Sequence, residues 1–443
     1  MKDILINMVS INIPKFLMNV IDRLHGANFN AYVVGGAIRD VFLNRPVMDW
    51  DLATSASPEE IETLFSDIRN FSLKHGTVTL VDGGHLYEIT TMKGAGKSAK
   101  SIEKDLGHRD FTLNAMAYDV VGKAILDPYG GREDITCKVI RSVGSPKERF
   151  MEDPLRLLRA VRFAVELGFT IEKETMNSIC QLSDRLTRTA RERIRDELMK
   201  ILLSKRPSTG FGFLRRSGLL KQFIPELLEG FLKRQNHYHE YTIYRHTIET
   251  IDIIEPDPIL RLVALFHDIA KPRVRRKING EFRFFRHAEE SALLAGEIMQ
   301  RLRFSKDMIK EVAKLVSLHM IDYKKEWSDG AIRRLVRRVG PDGLDRLISF
   351  RKADLLAHGR NQGKLDLFSE LEGRIERLRL ERIAHDVSAL AVDGVTVMNI
   401  LGIPPGPDVG KALNILMEKV IDQPDLNTEE GLVAILEGMK EKS

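Results

Sequence analysis

The sequence predicts an α+β head followed by a long body built of helices. Three observations predict it. Between residues 31 and 142, short apolar runs of strand length alternate with helical segments and with turns rich in Gly and Pro. From about residue 143 onward the strand patterns disappear and one amphipathic helix follows another. The chain has 443 residues, of which 43% are hydrophobic. That length suggests roughly two to four structural units, each with enough apolar material for a core.

The elements follow in order. Residues 14–28 read as an amphipathic helix. Ala31 to Val34 is a buried strand, Ala37 to Leu43 a helix, residues 50–53 a strand, and Pro58 to Phe65 a helix. Strands are expected at 78–82 and 86–92 and a helix at 110–118. Leu126 to Gly131, LDPYGG, is a dense turn signal. Residues 93–104, KGAGKSAKSIEK, are poor in apolar residues and read as a basic loop. Further on, 190–203 is strongly amphipathic through Ile194, Leu198, Ile201 and Leu202, and a helix pair follows at 210–223.

Composition bounds the rest. A net charge of +5 and a pI of about 9.0 suit an RNA partner and equally suit many other proteins. Two cysteines, Cys137 and Cys180, are too few for a disulfide framework or a Cys-rich zinc site, and point to a reducing cytoplasm. The opening residues MKDILINMVSINIPKFL interrupt a short apolar run with charges and read as mature chain. No apolar run reaches membrane-spanning length, so no membrane partner is expected.

The chemistry concentrates in residues 31–54, AYVVGGAIRDVFLNRPVMDWDLAT. Gly35 and Gly36 allow a tight turn and close approach of a ligand. The helix after them opens with free N–H groups that favour a phosphate, and Arg39 adds a cation. Asp49 and Asp51, two residues apart in a strand, point to one face. Paired carboxylates beside a phosphate cradle are what a divalent metal needs to activate a hydroxyl and neutralise a departing pyrophosphate. Glu88, alternating with apolar neighbours, is a candidate third carboxylate. It reads equally well as an outward strand residue.

This pattern, GG-x-x-RD followed by D-x-D, resembles the signature of polymerase-beta-like nucleotidyltransferases. The text is most similar to the class II tRNA nucleotidyltransferases and their poly(A) polymerase relatives. The resemblance runs to about residue 235 and more loosely to the C-terminus. It implies Mg²⁺ on Asp49 and Asp51, CTP and ATP as substrates, and the tRNA 3′ end with its acceptor and elbow as partner. His108 to Ala117, HRDFTLNAMA, resembles the family's RRDFTxNA motif, with His108 where Arg is usual. Asp110 is then the acceptor for a ribose hydroxyl, Arg109 a partner for Asp110 or a phosphate, and Asn114 a further polar contact. Glu152-Asp153-Pro154-Leu155-Arg156 matches E-D-x-x-R, in which Asp153 and Arg156 read the base and Glu152 orients Arg156. Cytosine and adenine present an amine beside a ring-nitrogen acceptor, so a carboxylate next to a guanidinium accepts them and rejects uracil and guanine. Arg159 and Arg162 follow at three-residue steps, facing triphosphate or base. Glu192 and Arg195 are assigned structural roles.

The loop at 93–104 falls where the family switches from adding C to adding A, and it is shorter here. The resemblance associates shortening with enzymes that add only the two cytidines. Complete CCA, CC-only and A-only addition therefore stay open.

A second candidate site lies in the body. His246, the pair His267-Asp268, and Asp354 look like the H…HD…D pattern of HD-type phosphohydrolases. That pattern implies a second divalent metal, with His287 and His319 as additional histidines and Lys271 near a phosphate. An HD-type phosphohydrolase or phosphodiesterase is the alternative main activity. Near the C-terminus, Gly402 to Lys411 is a turn feeding a helix, with N–H groups and Lys411 available to a phosphate. It resembles the tail segment near the tRNA elbow. The expected division is a head (1–142), a helical neck for base selection (143–205), a helical linker (206–240), an HD-type domain (241–360) and a tail (361–443).

Overall fold

The computed structural model describes residues 11–73, 76–93, 99–235, 240–358, 365–380 and 387–441. The chain divides into two compact units, Met1–Phe223 and Ile224–Ser443. It is an α+β protein whose main sheet lies near the N-terminus.

That sheet has seven strands: β1 Ala31–Val34, β2 Trp50–Thr54, β3 Asn70–Leu73, β4 Thr77–Asp82, β5 His85–Thr91, β6 Ala117–Asp119 and β7 Ala124–Leu126. Their order is β3-β4-β5-β2-β1-β6-β7. Only the β2–β5 pair is parallel; its neighbours are antiparallel. The central strands carry Val33, Val34, Leu52 and Ile89, all fully buried, as expected of strands covered on both faces. Helix α1, Lys15–Gly26, buries Leu17, Val20, Ile21 and Leu24, a single apolar stripe at helical spacing. Helix α2, Gly36–Phe42, leaves β1 through Gly35. Helix α3, Pro58–Leu64, is started by a Ser57/Glu60 capping box with Pro58 in its first turn.

Two local expectations fail in this unit. The helix expected at 110–118 is a 3₁₀ turn, Thr112–Asn114, followed by β6. The polar side chains there bind locally: Thr112 Oγ1 donates to Asp134 (2.6 Å) and Asn114 Nδ2 to Asp110 (3.0 Å), which competes with helix formation. In the basic stretch 93–104, residues 94–98 lie outside the described residues, and the rest from Ala99 belongs to helix α4, Ala99–Gly107. Ile102 and Leu106, four apart and fully buried, are the face that helix packs inward.

Helix α5 is Gly131–Cys137 and helix α6 is Pro146–Glu152. Pro154 stops α6 by holding Asp153 in an extended conformation, and α7, Arg156–Leu167, begins two residues later. Strand β8, Val139–Ile140, pairs with β9, Thr170–Ile171. Helices α8 Lys173–Gln181, α9 Arg191–Leu202, α10 Pro207–Arg216 and α11 Leu220–Phe223 complete the unit.

Among the described residues, the second unit is helical apart from one hairpin. It contains α12 Pro225–Leu228, α13 Ile243–Ile253, α14 Pro258–Phe266, α15 Lys271–Val274, hairpin β10 Arg275–Ile278 and β11 Glu281–Phe284, α16 His287–Arg301, α17 Lys306–Leu318, α18 Asp329–Val339, α19 Pro341–Ala357 and α20 Leu365–Leu380. Helices α21 Gly394–Leu401, α22 Pro407–Asp422 and α23 Glu429–Lys440 share their own core through Val397, Leu416, Met417, Leu432 and Leu436. No helix among the described residues is long and apolar enough to cross a membrane.

Candidate active site

Register builds the acidic corner of the first unit. Asp51 in β2 lies opposite Val34 in β1 and Glu88 in β5. The turn after β1 must therefore pass close to a carboxylate. Gly35 takes φ +75°, and a Cβ there would stand 3.3 Å from Asp51 Oδ2 and 3.5 Å from Arg109 Nη1. Burial pushes the Asp51 carboxyl up to about 6; Glu88 and Asp49 push the same way, against Arg109. Asp49 is exposed and sits one residue before β2. Asp51 and Glu88, opposite each other in neighbouring strands, with Asp49 just ahead, are hard oxygen donors whose repulsion Arg109 offsets only in part, which fits a divalent cation.

A cleft of about 510 Å³ opens beside it, lined by Gly35, Gly36, Arg39, Asp51, Asp153, Arg156 and others. Its lining includes seven cationic side chains (Lys93, Arg39, Arg109, Arg156, Arg159, Arg162, Arg193) and four carboxylates (Asp51, Asp105, Asp110, Asp153). The excess of cations suits a polyphosphate.

The carboxylates hold the arginines in place. Asp110 is buried and accepts from the Phe111 N–H (2.8 Å), Asn114 Nδ2 (3.0 Å) and Arg159 Nε (2.8 Å). Burial penalises its charge, yet the Arg159 guanidinium and these hydrogen bonds hold its carboxyl below the usual range. Asn114 Oδ1 in turn accepts from Arg39 Nη1 (2.9 Å), and Arg39 pairs with Asp40 (3.0 Å). Arg109 pairs with Asp105 (3.2 Å); Arg159, not Arg109, is the cation on Asp110. Arg162 is buried against Glu197 (2.7 Å) and Glu166 (2.9 Å), 3.9 Å over the Phe163 ring.

The break at Pro154 sets Asp153 and Arg156 on the same cleft. Arg156 donates to Glu152 Oε2 (3.1 Å), the Arg149 carbonyl (3.2 Å) and the His108 carbonyl (2.8 Å). Asp153 is gripped by both Nη atoms of Arg193, at 3.2 and 2.9 Å. His108 meets Arg149 at 3.3 Å. Lys93, first residue of the basic stretch, lines the cleft; Asp105, Phe163, Arg193 and Glu197 were missed by the sequence reading. One signal was available: Glu197 continues the apolar stripe of Ile194, Leu198 and Ile201 on α9, and a carboxylate buried there (3% exposed) needs cations. Arg195, two residues beyond Arg193, pairs with its neighbour Asp196 (2.8 Å).

The second unit brings His246, His267, Asp268, Asp354, His287 and His319 together, all buried. They fall into two sets with converging ligand atoms, His246–His267–Asp354 and Asp268–His287–His319. His246 Nε2 donates to Asp354 (2.9 Å), and His267 Nε2 lies 3.2 Å from Asp268. His267, His287 and His319 each donate Nδ1–H to a backbone carbonyl, of Ala264, Phe284 and Val316 (2.9, 2.8 and 2.6 Å). That fixes their rings with Nε2 toward the carboxylates. Burial, with the neighbouring His267, lowers His319 to about 3, so its imidazole is neutral. His287 Nε2 and Asp268 Oδ1 are buried with no hydrogen-bond partner among the described residues, at 3.6 Å from each other. Lys271 Nζ pairs with Asp268 (2.6 Å) and Gln235 (2.9 Å). Near the C-terminus, Lys411 is exposed and pairs with Asp408 (2.8 Å) at the start of α22.

Three family models match successive parts of the chain. They are "Poly A polymerase head domain" over residues 31–141, "Probable RNA and SrmB-binding site of polymerase A" over 168–230, and tRNA nucleotidyltransferase domain 2 over 284–436. The chain is 29% identical over 434 residues to the CCA-adding enzyme of Streptococcus thermophilus, covering 95% of this chain and 96% of that one. It is 42% identical over 217 residues to the CCA-adding enzyme of Ligilactobacillus salivarius, 46% of this chain and 54% of the relative. Among solved structures, the Bacillus stearothermophilus CCA-adding enzyme in complex with CTP aligns with TM-score 0.71 and 28% identity, over 96% of this chain and 97% of the other. The Thermotoga maritima CCA-adding enzyme complexed with tRNA shares the fold, with TM-score 0.58 and 21% identity.

Proposed function

We propose, from the premise that this chain belongs to the class II tRNA nucleotidyltransferase and poly(A) polymerase family, that it adds C and A to the 3′ end of tRNA. CTP and ATP are the donors, pyrophosphate leaves, and no nucleic-acid template is used. The observation that carries this reading is the cleft that joins the Asp51 corner to the Asp153–Arg156 pair.

Each step falls to a residue. The α2 N-terminus and Arg39 receive phosphate oxygens. Asp110, kept ionised by Arg159, faces the ribose. Asp153 accepts the exocyclic amine of C or A while Arg156 donates to the ring nitrogen, so U and G meet like against like. Arg193 holds the Asp153 carboxylate in one plane, and Glu152 does the same for Arg156. Asp49, Asp51 and Glu88 would hold Mg²⁺, which when bound lowers the pKa of the attacking hydroxyl and neutralises the leaving pyrophosphate. We assign the transfer step to residues 1–142 and base selection to 143–205. Two exposed free thiols, Cys137 and Cys180, favour work in the cytoplasm.

The test supplies purified protein with tRNA ending at the discriminator base or at CC, and with CTP, ATP or both. Complete addition extends the first RNA by CCA with both nucleotides and the second by A. Growth by two cytidines that stops there identifies CC-only addition. Failure to extend either RNA sinks the reading.

A second reading concerns the buried centre of the second unit. We propose that His246, His267 and Asp354, with Asp268, His287 and His319, hold divalent metal and that this centre hydrolyses phosphoesters. The unpartnered Asp268 Oδ1 and His287 Nε2 favour it. Metal content of the purified protein, and its loss in His267→Ala, decide the binding. Phosphate release from 2′,3′-cyclic nucleotides decides the hydrolysis.

A further inference from the structure

One surface of the second unit has no counterpart in the chemistry above. Residues 271–286, KPRVRRKINGEFRFFR, carry seven cations and one carboxylate, Glu281. They fold as α15 and the hairpin β10–β11, a two-stranded sheet of its own. Its register sets Arg276 directly opposite Arg283, Lys277 opposite Phe282 and Arg275 opposite Phe284. Like charges facing across a strand pair are destabilising. Arg276, Lys277, Arg283 and Arg286 are exposed and make no ion pair with another described residue.

Within the stretch, Lys271 and Arg273 at its base are paired, with Asp268 and Glu229. Elsewhere in the unit, Arg301 faces Glu226, Arg337 Glu418, and Arg374 and Arg377 share Asp329. Charge on the hairpin alone would read as protection of an exposed strand edge. The aromatics argue for more. Arg275 lies 3.4 Å over the Phe282 ring, and Phe285 stands 55% exposed at the end of β11. Unpaired cations beside an exposed ring are the pattern of a surface for single-stranded nucleic acid, in which phosphates meet the cations and a base stacks on the ring.

Both feet of the hairpin are tied to the His/Asp centre. Lys271, before β10, pairs with Asp268, and the Phe284 carbonyl at the end of β11 accepts from His287 Nδ1. Four-residue strands reach about 13 Å from those feet. We propose that this hairpin is an RNA-binding arm of the second unit, which lays a single-stranded segment along Arg276, Arg283 and Phe285 and leads it toward the His/Asp centre. The choice of RNA over other polyanions rests on the reading of the chain as an enzyme of tRNA 3′ ends.

The test uses the full-length protein and Arg276→Glu/Arg283→Glu. Anisotropy titrations with labelled tRNA and a labelled 12-nucleotide single-stranded RNA are run across a salt series, with anionic phosphatidylserine vesicles in parallel. Affinity for both RNAs should fall at least about tenfold, and the log–log salt slope should become shallower by about two, one for each lost phosphate contact. Phe285→Ala should weaken RNA binding several-fold and leave the slope unchanged. Should the charge-reversed protein fail to fold by circular dichroism, Arg276→Gln/Arg283→Gln gives the same slope reading. At saturating tRNA the variant should incorporate CTP at the wild-type rate. Wild type that binds RNA through the hairpin but incorporates nothing overturns the proposed function and leaves the arm standing. Unchanged affinity and slope in the variant, or a loss confined to vesicles, overturns the arm.

Discussion

The head cleft and the buried His/Asp centre solve opposite electrostatic problems. In the cleft, cations outnumber anions seven to four, and each carboxylate deeper in the wall fixes an arginine: Asp110 fixes Arg159, Glu197 fixes Arg162, and Asp153 is itself fixed by Arg193. The cleft is set for an anionic ligand before one arrives, which spares the cost of ordering flexible side chains on binding. In the centre of the second unit the charges are withdrawn from water. Asp268 and Asp354 lie beside histidines and are paired with Lys271 and Arg351, and burial keeps one of the histidines, His319, neutral. Under the second reading proposed above, a divalent cation would take its ligands from these groups. The comparison teaches that the same residue types line an open, cation-rich cleft in one unit and a closed, internally paired centre in the other.

The largest expected effect breaks the comparison if the two sites are not separate. Asp51→Asn should lower nucleotide incorporation by at least about 10³-fold, roughly 4 kcal/mol of transition-state stabilisation, with tRNA binding retained. His267→Ala should leave incorporation within about twofold while removing metal from the second unit. Gel assays of product length and metal analysis of both variants check the pair. Incorporation that survives Asp51→Asn would remove the acidic corner from the chemistry.

A second effect sharpens it through pH. The Asp51 carboxyl stands at about 6 against 3.8 unperturbed. An acid whose folded pKa is raised destabilises the fold as pH climbs from about 4 to about 6, and the penalty stays constant above that. Two units correspond to about 3 kcal/mol. Metal-free Asp51→Asn should therefore be more stable than wild type at pH 7.5, by up to about 3 kcal/mol. The gain should vanish near pH 3.5, and added Mg²⁺ should shrink it. Denaturant melts at the two pH values measure this; equal stability at pH 7.5 would remove the claim that burial disfavours the Asp51 charge.

What the sequence disclosed follows the same division. The Gly35-Gly36 turn, the strand with Asp51 and the helix with Arg156 and Arg159 were legible because local pattern decides them. The strands at 117–119 and 124–126 were not, because β6 is held by its neighbours β1 and β7 and partner choice is tertiary. The hairpin at 275–284 was hidden by its own arginines, which mask alternation. The partners of each arginine were equally invisible: Arg109 turned to Asp105 and Arg159 to Asp110, choices set by which carboxylate lies across the cleft. Arg193 went unremarked because on a helix it reads as a solvated charge.

That residue supplies the smallest effect. Asp153 is about a third exposed and keeps its orientation through two hydrogen bonds from one planar guanidinium. Arg193→Ala leaves the carboxylate free to rotate, so the amine of C or A meets a less ordered acceptor while U and G lose part of their repulsion. Discrimination of CTP over UTP, measured as the ratio of kcat/KM values, should fall about tenfold, or ~1.4 kcal/mol. Arg193→Lys should not restore it, because an ammonium cannot hold both oxygens in one plane. Incorporation of CTP alone should change less than the ratio does. A variant that slows CTP and UTP equally would make Arg193 a phosphate contact, and the cleft's order would then come from Asp110 and Glu197 alone.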